Sequence, residues 1–195
     1  MRTVLRFLVF FFLFGVGPAA RSQVFLIAKL DSTGTGSGST AKGTVWAVLS
    51  ADMSTLTYSV TYNRLGSAYN ASHFNHSGGL QAITFGTSNT ATGQWAGLTD
   101  NNVRDLLRGT VYVNIHSANF GGGEIRGFLN VAPGIGLSIK LDGSQASTAS
   151  NGKGTGWVYL DSSSARATWH ITYSGMTSLI NNSHFHYAGT TKAIG

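Results

Sequence analysis

The sequence predicts an all-β protein, an antiparallel β-sandwich or barrel with one short helical connection. The 195 residues are 42% hydrophobic and only 10% charged, and 26 glycines occur beside 2 prolines. That composition is typical of many short strands joined by tight turns. Apolar and polar residues also alternate with a period of two in several short segments, as they do in half-buried strands.

The N-terminal segment 1–22 has the pattern of a secretory signal. Two arginines precede an apolar run at 7–16, and small residues at positions 20 and 22 fit a cleavage site. The apolar run is shorter than the roughly 20 residues of a membrane-spanning helix. We therefore expect a protein that is secreted or displayed at the cell surface and has no membrane segment after cleavage.

Cysteine is absent and the net charge is modest. A disulfide framework and a thiol nucleophile are therefore excluded. The formal charge of +6 falls to +3 without Arg2, Arg6 and Arg21, because 10 basic and 7 acidic residues remain. These basic residues are scattered singly, whereas a nucleic-acid surface needs them clustered, so we expect no nucleic-acid partner.

The first strands are predicted at 24–31, 43–49 and 56–62, where alternation is clearest. The Gly/Ser/Thr-rich stretch 32–40 joins the first two, and we interpret it as a flexible, exposed turn. It has no phosphate-loop ending, so it does not indicate a nucleotide site.

One short helix follows. Thr99 is suited to cap it, Asp100 lies in its first turn and Gly109 is suited to end it. Val103, Leu106 and Leu107 form an apolar stripe along it.

A hairpin from 111 to 129 carries the most specific local pattern in the chain. If His116 lies opposite Glu124, then Asn114 lies opposite Arg126, and all four side chains project from one face with an internal ion pair. Such a polar hairpin cluster is either a ligand or metal site or a network that fixes strand register. We favour the network.

The chain repeats itself, with position 24 corresponding to position 135. Residues 24–84 aligned on 135–195 share 21 identities in 61 positions without a gap. This organisation predicts a complete domain at 23–132 and the N-terminal half of a second at 135–195. Half a sandwich leaves strand edges and an apolar face uncovered, which favours self-association or contact with adjacent repeats of the same protein.

Four histidines are candidate metal ligands for Zn or Cu. His184 and His186 would point to one face of a strand, while in the first repeat Asn75 stands in place of the second histidine and leaves His73 to be approached by His116. The alternative is that these histidines only form hydrogen bonds within the sandwich. The carboxylates show no pair that must converge as acid and base, and no nucleophile elbow is present, so we expect no enzyme and no catalytic residues.

Three sequons are candidate N-glycosylation sites, at Asn70, Asn75 and Asn181. Those at Asn70 and Asn181 occupy equivalent places in the two repeats.

The motif Tyr112-Val-Asn-Ile-His116-Ser, followed by Gly122-Gly-Glu124-Ile-Arg126-Gly-Phe-Leu, resembles the closing motif of the CHRD domain, a module abundant in microbial secreted proteins. The family's central His-x-His motif is kept at His184 and His186 and altered around His73. The resemblance covers 24–131 and, as an N-terminal half, 135–195. It implies an immunoglobulin-like, Greek-key β-sandwich related to copper/zinc superoxide dismutases, with no established enzymatic activity.

The function predicted from these patterns is that of a secreted, non-enzymatic structural or adhesive module in a cell-surface or filament-forming protein. An extracellular protein or a glycan is the expected kind of ligand. The alternative is a dismutase-like metal-binding domain that uses the histidines.

Overall fold

The computed structural model describes residues 22–85, 88–163 and 166–186, which form antiparallel sheets and one α-helix. The predicted all-β sandwich is confirmed. The predicted signal at 1–22 lies outside the described residues except for Ser22. Among the described residues, none of the helices has the length and hydrophobicity needed to span a bilayer.

Three sheets contain all twelve strands of the described chain. Sheet A has the order β6-β3-β2-β1-β9, with β1 Val24–Leu30, β2 Lys42–Leu49, β3 Thr55–Asn63, β6 Thr90–Ala96 and β9 Asn130–Val131. Sheet B has the order β5-β4-β7-β8, with β4 Tyr69–His76, β5 Gly79–Ala82, β7 Tyr112–Ser117 and β8 Phe120–Phe128. Sheet C has the order β10-β11-β12, with β10 Gly134–Asp142, β11 Lys153–Asp161 and β12 Ala167–Ser174.

Sheets A and B pack face to face and bury the main hydrophobic core. Alternation along β2 directs Val45, Ala47 and Leu49 toward sheet B, where all three are fully buried. From sheet B, Phe74 meets the ring of Tyr58 edge-on with the centroids 5.0 Å apart. The alternation of apolar and polar residues along the strands therefore places the apolar side chains between sheets A and B, where they form the core.

Helix α1, Asp100–Arg108, closes one end of this core. Thr99 caps it as predicted, and Gly109 ends it in the left-handed conformation with φ of 70°. Within the apolar stripe, Leu106 is fully buried, whereas Leu107 is 45% exposed. Asn102 is buried in its place, since it completes a capping box with Thr99 and bonds His76.

Sheet C packs on the opposite face of sheet A through a layer of hydroxyl groups. The Oγ1 atoms of Thr44 and Thr172 lie 2.6 Å apart, and those of Thr61 and Thr155 lie 2.7 Å apart. In the gapless alignment of the repeats, Thr155 is the counterpart of Thr44, and Thr172 is the counterpart of Thr61. Swapping each residue for its counterpart in the other repeat therefore turns one contact into the other. Contacts of this kind are typical of an isologous, two-fold interface.

The strand registers follow the same rule, because sheet C reproduces the pairing of β1, β2 and β3 at the aligned positions of the second repeat. Matching pairs are Lys29 with Thr44, Thr44 with Thr61, Lys140 with Thr155 and Thr155 with Thr172.

His170 breaks this symmetry, since Ser59 stands at the equivalent position. Its Nδ1 lies 2.7 Å from Thr44 Oγ1, and its ring stacks on Trp157 with the centroids 5.8 Å apart. Burial, followed by the charges of Lys29 and Lys42, lowers the pKa of His170 to about 4. The imidazole is therefore neutral at pH 7, and acid forces a charge into the layer between the sheets.

We expect the stability of the protein to fall between pH 6.5 and pH 4 because of His170. A histidine whose pKa is lower in the folded state stabilises that state fully above the unfolded value of about 6.5 and loses this contribution as the pH falls toward the folded value. With allowance for partial exposure, the loss amounts to about 1–2 kcal/mol. Urea unfolding at several pH values measures the free energy of unfolding of the wild type and of His170→Ser. Serine is chosen because Ser59 occupies the equivalent position in the first repeat. Parallel pH profiles for the two proteins would contradict the assignment.

Candidate functional site

The outer face of sheet B carries the predicted polar residues. In β4, His73 and Asn75 alternate with the buried Phe74, and in β7, Asn114 and His116 alternate with the buried Ile115. Since side chains of adjacent residues point to opposite faces, the polar set projects away from the core. His73 pairs opposite Asn114 in the sheet, so the two strands bring their polar side chains together.

These side chains form one hydrogen-bonded cluster. The rings of His73 and His116 have their centroids 4.7 Å apart. Asn75 Nδ2 lies 2.9 Å from His73 Nδ1, and Asn114 Nδ2 lies 3.1 Å from His116 Nε2. His116 Nδ1 lies 2.9 Å from the Gly121 carbonyl, so both hydrogen bonds are satisfied when His116 donates from Nδ1 and accepts at Nε2.

The electrostatics of the cluster favour the uncharged form of the His73 imidazole. Burial lowers the pKa of His73, and the neighbouring His116 lowers it further. Each amide NH₂ donates to an unprotonated ring nitrogen, and protonation of that nitrogen would replace the bond with two opposed donors. The hydrogen bonds of the cluster thus suit an uncharged His73.

Asn114 is fixed by close packing as well as by hydrogen bonds. The residue is 4% exposed, and a Cβ at Gly123 would lie 2.1 Å from its Oδ1. Gly123 has φ of +112°, a conformation that L side chains rarely adopt. Glycine at this position therefore allows β8 to approach the amide.

Glu124 lies outside this cluster, so the prediction that it pairs with His116 is wrong. The register shifts after Ile115, and Ser117 pairs with Phe120. Glu124 is fully buried, and its carboxylate accepts hydrogen bonds from Ser39 Oγ and Ser117 Oγ, both at 2.5 Å, and from the Gly66 amide at 2.7 Å. Burial raises the pKa of Glu124, but these three donors outweigh it and lower the pKa below its usual value.

The stretch 32–40 is held against Glu124, which corrects the interpretation of it as a flexible turn. The hydroxyls of Thr35 and Ser37 donate to the Glu124 carbonyl at 2.8 and 2.7 Å, while Ser39 reaches the carboxylate. Hydroxyl residues alternate with glycines there, and Gly36 and Gly38, which lie between the three donors, adopt left-handed conformations with φ of 69° and 68°. This alternation is the signal in the sequence that the prediction missed.

Arg126 lies opposite Asn114 in the register, as predicted. Its guanidinium carbon is 5.3 Å from the centroid of the Tyr112 ring, a cation–π contact. The expected ion pair with Glu124 is not formed, since the salt bridge found among the described residues joins Lys140 to Asp142. Arg126 therefore stacks on an aromatic ring at the outer face.

The second histidine pair lies elsewhere. The rings of His184 and His186 have centroids 4.4 Å apart, although Phe185 between them forms an isolated bridge and not a full strand. Within the described ranges, no group of three or more His, Cys, Asp or Glu side chains is arranged to hold a metal ion.

Two of the candidate glycosylation sites are accessible. Asn70 and Asn181 are exposed, whereas Asn75 is half-buried and its amide is engaged by His73.

Comparison with known proteins gives one match. The family model described as CHRD domain matches residues 26–129, a span that runs from within β1 to the end of β8 and includes the polar cluster. Neither the curated proteins nor the solved structures contain a significant match.

Replacement of Glu124 by Gln should destabilise the protein by about 2–3 kcal/mol. In glutamine an NH₂ group, which is a donor, replaces one carboxylate oxygen. This NH₂ group would face one of the three present donors, so that donor would lose its acceptor in a buried site. Denaturant unfolding measures the effect, with Asp100→Asn as the control because that carboxylate is exposed. A loss no larger than that of the control would show that the carboxylate does not hold the loops.

Proposed function

The chain belongs to the CHRD domain family, and from that premise we propose that it is a secreted, non-enzymatic structural or adhesive module of a cell-surface protein. The carrying observation is that the carboxylate and the two imidazoles of the site are engaged by internal partners. Glu124 has three donors, and His73 and His116 have amide partners. Groups held in this way fix a surface and do not activate a substrate.

The surface so fixed suits adhesion. Tyr112, Arg126 and the two imidazoles combine an aromatic ring, a cation and hydrogen-bonding groups on one rigid sheet. An extracellular protein or a glycan is the proposed ligand, because aromatic and Arg side chains are enriched at recognition surfaces. The apolar run at 7–16 supports secretion, and the alignment of 24–84 on 135–195 supports a tandem array.

Expression in a secreting host tests the location. We expect the protein in the medium or at the cell surface, with an intact mass reduced by the segment 1–22 and increased where Asn70 or Asn181 carries a glycan. A variant in which Leu8 and Leu13 are replaced by Asp should remain inside the cells, because the apolar run is interrupted. Retention of the wild-type protein in the cytoplasm with the segment 1–22 intact would overturn the proposal.

A metal-binding function is the second candidate, and the approach of His73 to His116 is the observation that favours it. Two imidazoles are part of a Zn or Cu ligand set, and a third ligand would have to come from solvent or a bound molecule. Elemental analysis of the purified full chain distinguishes the two functions. The structural module predicts no stoichiometric metal, whereas a metal site predicts one ion that is lost in His116→Ala and kept in the control His76→Ala.

A further inference from the structure

The guanidinium of Arg126 lies on the outer face of sheet B without an anion. Its aliphatic stem packs at Gly34, where an added Cβ would lie 2.7 Å from Arg126 Cγ, and its planar end lies over the Tyr112 ring. Among the described residues, the side chain forms no hydrogen bond or ion pair, although its Nε is buried. The two terminal nitrogens of this half-buried residue are therefore the donors that a ligand can reach.

The outer face of sheet B contains no acid that neutralises Arg126. Within β4, β5, β7 and β8, Glu124 is the one carboxylate, and it is turned inward to its three donors. Asp31 pairs with Arg126 through the backbone, but its carboxylate accepts from the Thr33 amide and forms no ion pair with the guanidinium. The positive charge on this face is therefore uncompensated, and it attracts an anion.

Arg126 is also the one Lys or Arg residue in those four strands. Densely sulfated polymers are bound by clusters of several basic residues. A single guanidinium instead suits one carboxylate, which it holds through two parallel N–H···O bonds. The charge of the face therefore favours a ligand that presents one carboxylate at a time.

Two aromatic rings lie beside the guanidinium. The rings of Tyr112 and Phe128 have their centroids 5.2 Å apart, and Phe128 is 49% exposed. The face of an aromatic ring has a negative potential, so it attracts the polarised C–H groups on one side of a sugar ring. Across the sheet, Asn114 lies opposite Arg126 and His73 lies opposite Asn114, so amide and imidazole groups continue the row for about 10 Å.

This face belongs to the complete domain. The four strands of sheet B all fall within residues 26–129, which match the CHRD family model. Sheet A covers the inner face of sheet B, and sheet C packs on the far side of sheet A. The second repeat therefore lies on the side of sheet A that is away from Arg126.

We propose that the outer face of sheet B binds an acidic glycan, with Arg126 holding a uronate carboxylate and the Tyr112–Phe128 pair packing on the sugar ring. This inference names the ligand class of the proposed adhesive module and rests on that function. A protein ligand fits the face poorly, because stable protein interfaces have an apolar core. The centre of this face is instead the polar cluster of His73, Asn114 and His116.

NMR titration of the purified, ¹⁵N-labelled full chain with tetragalacturonate tests the site at pH 7. We expect saturable shifts of the Arg126 Nε–H resonance and of the amides of β7 and β8, with a dissociation constant of about 1 mM or below. The methyl-esterified tetramer has the same sugar rings without the charge. It should bind roughly 10-fold more weakly, because the carboxylate contact is lost.

Arg126→Lys separates the shape of the guanidinium from its charge. Lysine keeps the charge but lacks the planar fork, so the dissociation constant should rise roughly 10-fold. Arg108→Lys is the matched control, since Arg108 is exposed on helix α1 and should leave the affinity unchanged. Gly34→Ala decides the test if Arg126→Lys misfolds. It alters no charge, but its methyl group occupies the space of the Arg126 stem and should weaken binding by displacing the guanidinium.

The affinities also separate the acidic glycan from other ligands. Equal affinity for the methyl ester, or an affinity that Arg126→Lys leaves unchanged, would overturn the proposal. Equal affinity for hexaglutamate would overturn it in favour of an acidic protein segment, and tighter binding of a sulfated dextran oligomer would overturn it in favour of sulfate. A secreted protein that does not bind tetragalacturonate would refute this site and leave the proposed function standing, whereas an intracellular protein that binds it through Arg126 would do the reverse.

Discussion

The architecture of the outer face of sheet B depends on one buried carboxylate. Glu124 is fully buried and forms no ion pair with the described residues, a situation that costs free energy unless both carboxylate oxygens accept hydrogen bonds. Three donors from separate parts of the chain satisfy it: Ser39 from the loop after β1, the Gly66 amide after β3, and Ser117 at the end of β7. Because these segments are far apart in sequence, the requirement of a single side chain fixes the loops around the β7–β8 hairpin.

The polar cluster is a consequence of this arrangement. The shift in strand register after Ile115 brings Ser117 to the Glu124 carboxylate. Because of the same shift, His116 forms hydrogen bonds with Asn114 and the Gly121 carbonyl. The outer face therefore presents two hydrogen-bonded imidazoles and an Arg126–Tyr112 stack. Recognition of a ligand by such a surface carries a small ordering cost, which suits adhesion.

Much of this fold follows from the sequence. Period-two alternation predicts the main strands, and Thr99 and Gly109 predict both ends of the helix, because caps act locally. The Asn114–Arg126 pair follows from simple hairpin geometry. Alternation assigns a side chain to a face of its sheet but does not show which residues lie opposite that face. The hydroxyl contacts between sheets A and C, such as that of Thr44 with Thr172, and the three hydrogen bonds to Glu124 could therefore not be predicted. A shift in strand register was enough to separate Glu124 from His116, and such a shift leaves no mark in the pattern of apolar residues.

The duplicated register of sheets A and C has a kinetic consequence. In an unfolded chain that carries both segments, β2 is a competent template for β10 as well as for β1, since the two repeats share one pairing pattern. Such cross-pairing is a common route to misassembly in proteins with similar neighbouring domains. Synthesis from the N-terminus removes this competition, because β1 to β9 are complete before β10 is made. Refolding from denaturant offers no such order, and slow phases and aggregation are expected there.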